Sequence, residues 1–164
     1  GMPLACLFGH GDKRLLGFGL DGRQLSPAHT VVLGPRSYEA EEVEFLARIG
    51  VRVIGADEID RCGFQTCLQE ALSIVATAPA GFGVTLDLDA FDPRLAPGVG
   101  SPEPDGLAVR EVLRGLRALA AQPGLLAMEI VEYNPDRDSG GTTAALITDL
   151  IETILPSATR GHRS

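Results

Sequence analysis

The chain has 164 residues, of which 45% are hydrophobic and 22% are charged, and both fractions are close to those of ordinary globular proteins. Disorder is therefore not expected, and the length suits one compact domain or a part of a larger one. Its 14 Lys and Arg residues against 22 Asp and Glu residues give a net charge of −8, and no basic run could neutralise a series of phosphates, which argues against nucleic acid as a partner.

Predicted elements alternate along the chain between short apolar runs and longer segments with helical periodicity. Residues 3–8 suit either a helix or a strand, and the glycine-rich stretch 9–22 is predicted to be a loop. Four strands, apolar across their length as in a sheet buried on both faces, are predicted at 30–34, 51–54, 83–87 and 125–132. Amphipathic helices are predicted at 39–49, 65–77, 107–121 and 142–155. With right-handed crossovers, this order gives a three-layer α/β/α fold with a parallel sheet, whose functional residues belong at the carboxyl ends of the strands.

The number of cysteines and the length of the apolar runs indicate the cellular compartment of the protein. Cys6, Cys62 and Cys67 are an odd number without the spacing of a zinc ribbon, so no disulfide framework is expected. The longest apolar runs are far shorter than the roughly 20 residues needed to span a bilayer, and no charged and apolar leader pattern opens the sequence. We therefore expect a cytoplasmic protein without a membrane partner.

Two carboxylates follow the third predicted strand. The two-residue period of a strand would place Asp87 and Asp89 on one face, where they would repel each other unless a cation neutralised them. A hard divalent ion such as Mn²⁺ or Mg²⁺ suits such a pair. An Asp-rich segment that caps a strand and starts the turn at Asp92 and Pro93 would have the same composition. The spacing alone leaves both interpretations open.

The flanks of this pair carry a family resemblance. Residues 86–93, Leu-Asp-Leu-Asp-Ala-Phe-Asp-Pro, and the proline- and glycine-rich segment 96–107 resemble the signature of the ureohydrolases, the arginase and agmatinase family. Residues 129–135 are similar to the strand that the family places near its substrate, and 32–36 and 49–54 follow the family's order further upstream. The resemblance covers nearly the whole chain and implies an arginase-like but incomplete fold, with residues 1–164 as the C-terminal portion of a single ureohydrolase domain.

The resemblance also implies roles for individual residues. Ureohydrolases hydrolyse a guanidinium group to an amine and urea with water held between two Mn²⁺ ions. Asp87 and Asp89 match two metal ligands, and Glu132 matches the glutamate that pairs with the substrate guanidinium, whose paired donors suit a carboxylate. Glu39 and Glu42 stand where arginases carry acidic residues that contact the amino-acid end of the substrate. Glu39 replaces an expected Asp, and an acidic first helical turn would look the same.

Part of the family's metal site is missing from the sequence. The family completes its metal pair with a histidine from a Gly-Gly-Asp-His segment and with an Asp-Ala-His-x-Asp strand end, and neither is present. His10, His29 and His162 are interpreted as ordinary surface residues rather than as substitutes. We therefore expect the manganese site to be partial or absent in this chain, which would be inactive on its own, and we assign no catalytic residue.

Several functions remain open at this point. The first is a manganese-dependent guanidino-hydrolase of arginine metabolism that releases urea, with arginine, agmatine or guanidinobutyrate as its small-molecule substrate. The second is a truncated, non-catalytic α/β module that acts in assembly and can self-associate. A deacetylase-like hydrolase on a related fold, with one metal held by Asp and His, is a third.

Overall fold

The computed structural model of the chain describes residues 2–16 and 24–155. These residues contain seven α-helices and four short strands, joined by loops and 3₁₀ turns. The helices are α1 (Met2–Leu7), α2 (Lys13–Leu16), α3 (Ala40–Ile49), α4 (Ala56–Cys62), α5 (Phe64–Val75), α6 (Val109–Ala120) and α7 (Thr142–Ile154). The strands are β1 (Val31–Leu33), β2 (Arg52–Ile54), β3 (Phe82–Asp87) and β4 (Leu125–Val131). None of these helices is long and apolar enough to cross a membrane.

The predicted order of strands and helices is confirmed, with differences in three short segments. The ambiguous segment 3–8 is helical, because α1 occupies most of it. The stretch 9–22 was predicted to be a loop, but α2 begins after Asp12, whose carboxylate accepts the backbone N–H of Arg14 at 2.9 Å. Residues 17–22 of that stretch lie outside the described residues. Helix α4 was not predicted, since its seven residues bury only Ile59 and leave little periodicity to detect.

The strands pair in parallel, as predicted, but they form two pairs rather than one continuous sheet. Val31 of β1 lies opposite Arg52 of β2, and Thr85 of β3 lies opposite Glu129 of β4. Within the described residues, no strand pairing joins β1 to β3. The two pairs are therefore held together by side-chain packing and not by a backbone ladder.

Two connected hydrophobic clusters form the core. The larger cluster lies where α5, α6 and α7 pack against β3 and β4, and it includes Leu88 and Leu150, both with no exposed area. The smaller one lies under β1 and β2 and is centred on Ile54. Phe64 and Leu107 pack against both clusters. Each fully buried aliphatic side chain contributes about 1.5–3 kcal/mol, so this shared packing joins the two strand pairs.

One face of the second strand pair is exposed, contrary to the prediction of strands buried on both faces. Gly83 and Thr85 of β3 and Ala127 and Glu129 of β4 are all exposed, whereas residues between them pack in the core. The Thr85 hydroxyl donates to Glu129 Oε1 at 2.7 Å across this face. The apolar composition of the strands predicted coverage on both sides, but within the described residues helices cover only one side here.

Candidate functional site

The carboxyl end of β3 forms a tight acidic turn. The strand ends at Asp87, and a single 3₁₀ turn, Leu88–Ala90, follows it. Asp87 Oδ1 accepts the backbone N–H of Asp89 at 3.1 Å, which caps this turn, while the buried Leu88 fixes it to the core. Asp89 therefore lies in the turn and not on the strand, so the turn brings the two carboxylates together. Capping uses only one oxygen of Asp87 and is compatible with a second role for that side chain.

Asp89 is the electrostatic centre of the site. The pKa of its carboxyl group is raised to about 6, first by burial and next by the neighbouring Asp87 carboxylate. Glu132 adds to this increase, and the Arg36 guanidinium opposes it. The structure thus brings Asp87, Asp89 and Glu132, predicted from separate segments, within electrostatic reach of one another. The partly buried Asp89 therefore lies in a local excess of negative charge, which a cation would relieve.

Glu132 follows β4 in an unusual backbone conformation. Its φ is +66°, in the left-handed region that non-glycine residues seldom adopt and that clusters at functional sites. The Glu132 carboxylate lies beside Gly100, where an added Cβ would stand 3.7 Å from Oε2. The N–H of Asn134 donates to the Gly98 carbonyl at 2.8 Å, and Val99 bridges Tyr133. The segment after β4 is thereby fixed against the proline- and glycine-rich loop of the predicted signature.

Arg36 connects the carboxyl ends of β1 and β3, a role that the sequence did not reveal. Its Nη1 donates to the carbonyls of Glu103 and Pro104 at 2.5 and 2.9 Å, and its Nη2 donates to the Phe91 carbonyl at 3.4 Å. Phe91 is two residues after Asp89, and Glu103 lies in the signature loop. The guanidinium therefore fixes both loops beside the acidic turn and places a positive charge near Asp89.

Glu39 and Glu42 lie at the start of α3. The backbone N–H of Glu39 donates to Glu42 Oε2 at 3.4 Å, as in a helix capping box. The geometry therefore supports a capping role, and the predicted contact with the amino-acid end of a substrate stays a prediction.

The donor set fits one side of a metal site. Asp87 and Asp89 supply two hard oxygen donors, as Mn²⁺ or Mg²⁺ prefers. In residues 2–16 and 24–155, however, no group of three or more His, Cys, Asp or Glu side chains is placed to hold an ion. His10 stacks edge-on against Phe45 at a centroid distance of 5.0 Å, and His29 Nδ1 bonds Thr77 Oγ1 at 2.9 Å. His162 lies outside the described residues. A complete coordination shell needs donors from elsewhere.

Asp138 stabilises the segments next to Glu132 and the signature loop, and it was not identified from the sequence. Its buried carboxylate accepts the backbone N–H groups of Thr143 and Ala144 at 3.0 and 2.9 Å and the Tyr133 hydroxyl at 3.2 Å. Thr143 Oγ1 in turn accepts the Gly98 N–H at 2.8 Å. The start of α7, the signature loop and the residue after Glu132 are thus connected. An Asp ahead of Ser-Gly-Gly-Thr is a recognisable signal for the start of a helix.

The fold and the site define a parallel α/β protein with an acidic centre at the carboxyl ends of its strands. Residues 1–156 match the Arginase family, so the chain belongs to that family. An arginase from Brevibacillus brevis is 36% identical over 154 residues, which are 94% of this chain and 52% of that protein. Proclavaminate amidinohydrolase from Streptomyces clavuligerus is 33% identical over 149 residues, 89% of this chain and 46% of that protein.

A solved structure confirms the arginase-like fold class. The arginase from Bacillus caldovelox superposes with a TM-score of 0.88 at 31% identity, over 96% of this chain and 52% of that chain. The chain thus spans about half the length of the curated relatives that it matches. The predicted partial ureohydrolase is confirmed at the level of family and fold.

Proposed function

We propose that the whole protein is a manganese-dependent hydrolase of a guanidino substrate that releases urea, and that this chain supplies part of its active site. The observation that carries the proposal is the convergence of Asp87, Asp89 and Glu132 at the carboxyl ends of two adjacent strands, in a chain of the arginase family. Relatives named arginase and proclavaminate amidinohydrolase support this reaction class.

Each residue has a role in this proposal. Asp87 and Asp89 would hold manganese, which when bound lowers the pKa of water and supplies hydroxide near neutral pH. Glu132 accepts paired N–H donors of the planar guanidinium and thereby orients its carbon. Arg36 keeps the loops around the acidic turn in place. The chain by itself supplies too few metal donors and is expected to be inactive.

The substrate is proposed at the level of its reacting group. Arginine is the first candidate, with agmatine and guanidinobutyrate next, and Glu39 and Glu42 are proposed to contact the amino-acid end of arginine. One relative is named proclavaminate amidinohydrolase, so family membership alone does not select arginine. A cytoplasmic location and self-association are part of the same proposal, and the free Cys6, Cys62 and Cys67 suit a reducing compartment.

The test compares urea release by this chain and by the longest in-frame product of its gene, with and without Mn²⁺. We expect manganese-dependent turnover by the longer product only. In that product, Glu132→Gln should lower kcat/KM by roughly 10- to 100-fold, because a charge-assisted hydrogen bond is lost. Glu103→Gln, on an exposed residue of the signature loop, is the matched control. Turnover by the short chain, or an unchanged kcat/KM in Glu132→Gln, would contradict the proposal.

A second candidate is a non-catalytic module that acts in assembly. It is favoured by the absence of any group of three metal donors from residues 2–16 and 24–155. It predicts a folded chain that binds no stoichiometric Mn²⁺ in calorimetric titration, and a longer gene product that releases no urea. The lack of urea release by the longer product would distinguish this module from the proposed hydrolase.

A further inference from the structure

Glu132 lies between two points at which the chain is fixed. Before it, Val131 at the end of β4 is the register partner of Asp87, so β4 is tied to the acidic turn. After it, Tyr133 forms an antiparallel bridge with Val99 of the signature loop. The position of the Glu132 carboxylate relative to Asp87 therefore depends on how firmly that loop is held.

A second connection to the same loop comes from Arg137. The 3₁₀ turn Pro135–Arg137 begins after Asn134, whose side-chain oxygen accepts a backbone N–H of the turn at 3.1 Å. This turn brings the guanidinium back to the loop, where Nη1 donates to the Gly100 carbonyl at 3.0 Å and to the Val99 carbonyl at 3.4 Å. Hydrogen bonds from an ionised donor are stronger than those between neutral groups, so the two peptide groups are held in one orientation.

Gly100 is the loop residue that lies beside Glu132. A Cβ added at Gly100 would stand 3.7 Å from Glu132 Oε2, which is an ordinary van der Waals distance. The main chain of the loop at Gly100 thus forms the surface next to the carboxylate, and a shift of that main chain would change the position of the carboxylate. The carbonyl that Arg137 binds belongs to this same residue. Arg137 is therefore connected to Glu132 through one shared neighbour.

The backbone conformation of Glu132 needs support of this kind. Its φ of +66° is unfavourable for a residue with a side chain, and such a conformation persists only where the surrounding structure holds it. The bridge at Tyr133 is an isolated pair of residues outside the named strands. Arg137 binds the carbonyl of Val99, so it stabilises the loop side of that bridge.

We propose that Arg137 is a positioning residue, which holds the loop at Val99 and Gly100 and thereby keeps the Glu132 carboxylate aligned for the substrate guanidinium. The inference rests on the proposed function, in which Glu132 binds that guanidinium, and adds a residue that acts through Glu132. Alignment matters because a misplacement of about 1 Å can lower a rate by roughly 100-fold. Arg137 itself is exposed, so its substitution should leave the hydrophobic core intact.

The first measurement uses this chain and requires neither metal nor turnover. Arg137→Met removes the guanidinium donors and keeps a long, unbranched side chain. Amide exchange at Asn134, whose N–H donates to the Gly98 carbonyl, should become roughly tenfold faster, because the loop loses a charge-assisted hydrogen bond. Arg114→Met, at an exposed arginine of α6, is the matched control and should leave this rate unchanged. Equal exchange at Asn134 in the wild type and in Arg137→Met would overturn the proposal.

A kinetic cycle in the longest in-frame product of the gene tests whether Arg137 acts through Glu132. With L-arginine as the substrate and Mn²⁺ present, Arg137→Met should lower kcat/KM roughly tenfold. Arg137→Lys should lower it less, because lysine keeps the charge on a side chain that is one bond shorter. In a Glu132→Gln background, where the carboxylate is already lost, Arg137→Met should cause no further decrease.

The results distinguish positioning from a general structural role. Independent losses that multiply in the double variant would mean that Arg137 does not act through Glu132, and would overturn the proposal. If the wild-type longer product released no urea, the proposed function would fail, and amide exchange in this chain would decide whether Arg137 holds the loop beside Glu132.

Discussion

Among single residues, Arg36 illustrates how the site is fixed from a distance. Arg36 is half-buried, and its guanidinium donates to three backbone carbonyls, all in the segment that follows the acidic turn. A planar group with five donors can satisfy several carbonyls at once, and a lysine ammonium cannot reproduce that geometry. The loops beside Asp89 should therefore depend on arginine and not only on positive charge.

This dependence can be measured with Arg36→Lys. We expect a loss of about 1–3 kcal/mol in the free energy of unfolding, together with faster amide exchange at Glu103 and in the segment that follows, because carbonyl bonds to a charged donor are lost. Arg110→Lys, at an exposed helical position, is the control and should change neither quantity. Equal behaviour of the two variants would show that Arg36 does not position the loops.

Glu132 has a backbone conformation that is rare for a residue other than glycine. A residue with φ +66° that is not glycine is strained, and here the strain coincides with a carboxylate directed at the signature loop. The family resemblance identified Glu132, but no pattern in the sequence predicts its backbone conformation. The next residue, Tyr133, bridges Val99, which lies 34 positions earlier in the sequence and meets it only in the folded chain.

Among the elements, the start of α7 is stabilised by a carboxylate outside the helix. Burial of Asp138 raises its pKa, but the hydrogen bonds from Thr143, Ala144 and Tyr133 together outweigh burial, so the net pKa lies below the ordinary value of 3.8. A carboxyl group with a lowered pKa in the folded state stabilises the protein above the unfolded pKa. That stabilisation is lost as the pH falls through the folded value.

Because the pKa of Asp138 is lowered in the folded state, the effect of Asp138→Asn on the free energy of unfolding should depend on pH. The variant should be less stable than the wild type near neutral pH. The difference should shrink as the pH falls below 3.8, where Asp138 begins to protonate in the unfolded chain, and should be lost as the pH falls through the lower pKa of the folded state. Urea unfolding at a series of pH values measures it. Asp136→Asn, at an exposed neighbour, should show no such trend. A stability difference that is constant with pH would refute the assigned role of the charge.

The elements were predictable where their causes are local. Helix α6 carries apolar residues on one side at helical spacing, and β3 is an apolar run, so both could be located from a window of neighbouring residues. The separation of the strands into two pairs could not, since pairing depends on partners elsewhere in the chain. The same holds for the site: Asp87 and Asp89 stand in a recognisable motif, whereas Arg36 bonds carbonyls 55 to 68 positions away.

For the molecule as a whole, the main structural question is what keeps the two strand pairs together without a strand between them. In the described part of the chain, the connection is made by side chains that contact both hydrophobic clusters, chiefly Phe64 and Leu107. Phe64 also lies against Gly115 of α6, where an added Cβ would stand 3.0 Å from its ring. Phe64 and Leu107 therefore provide the side-chain contact that joins the two strand pairs in this part of the chain.

If that link joins the clusters, Phe64→Ala should do more than lower stability. Removing a large aromatic side chain from the core costs about 3 kcal/mol, and here it should also uncouple unfolding of the β1–β2 pair from that of the β3–β4 pair. Amide exchange at increasing denaturant would then show β2 opening before β4, whereas the wild-type strands should open together. Leu126→Ala, which truncates an exposed side chain of β4, should leave the transition cooperative. A single cooperative transition in Phe64→Ala would mean that other contacts suffice to join the two pairs.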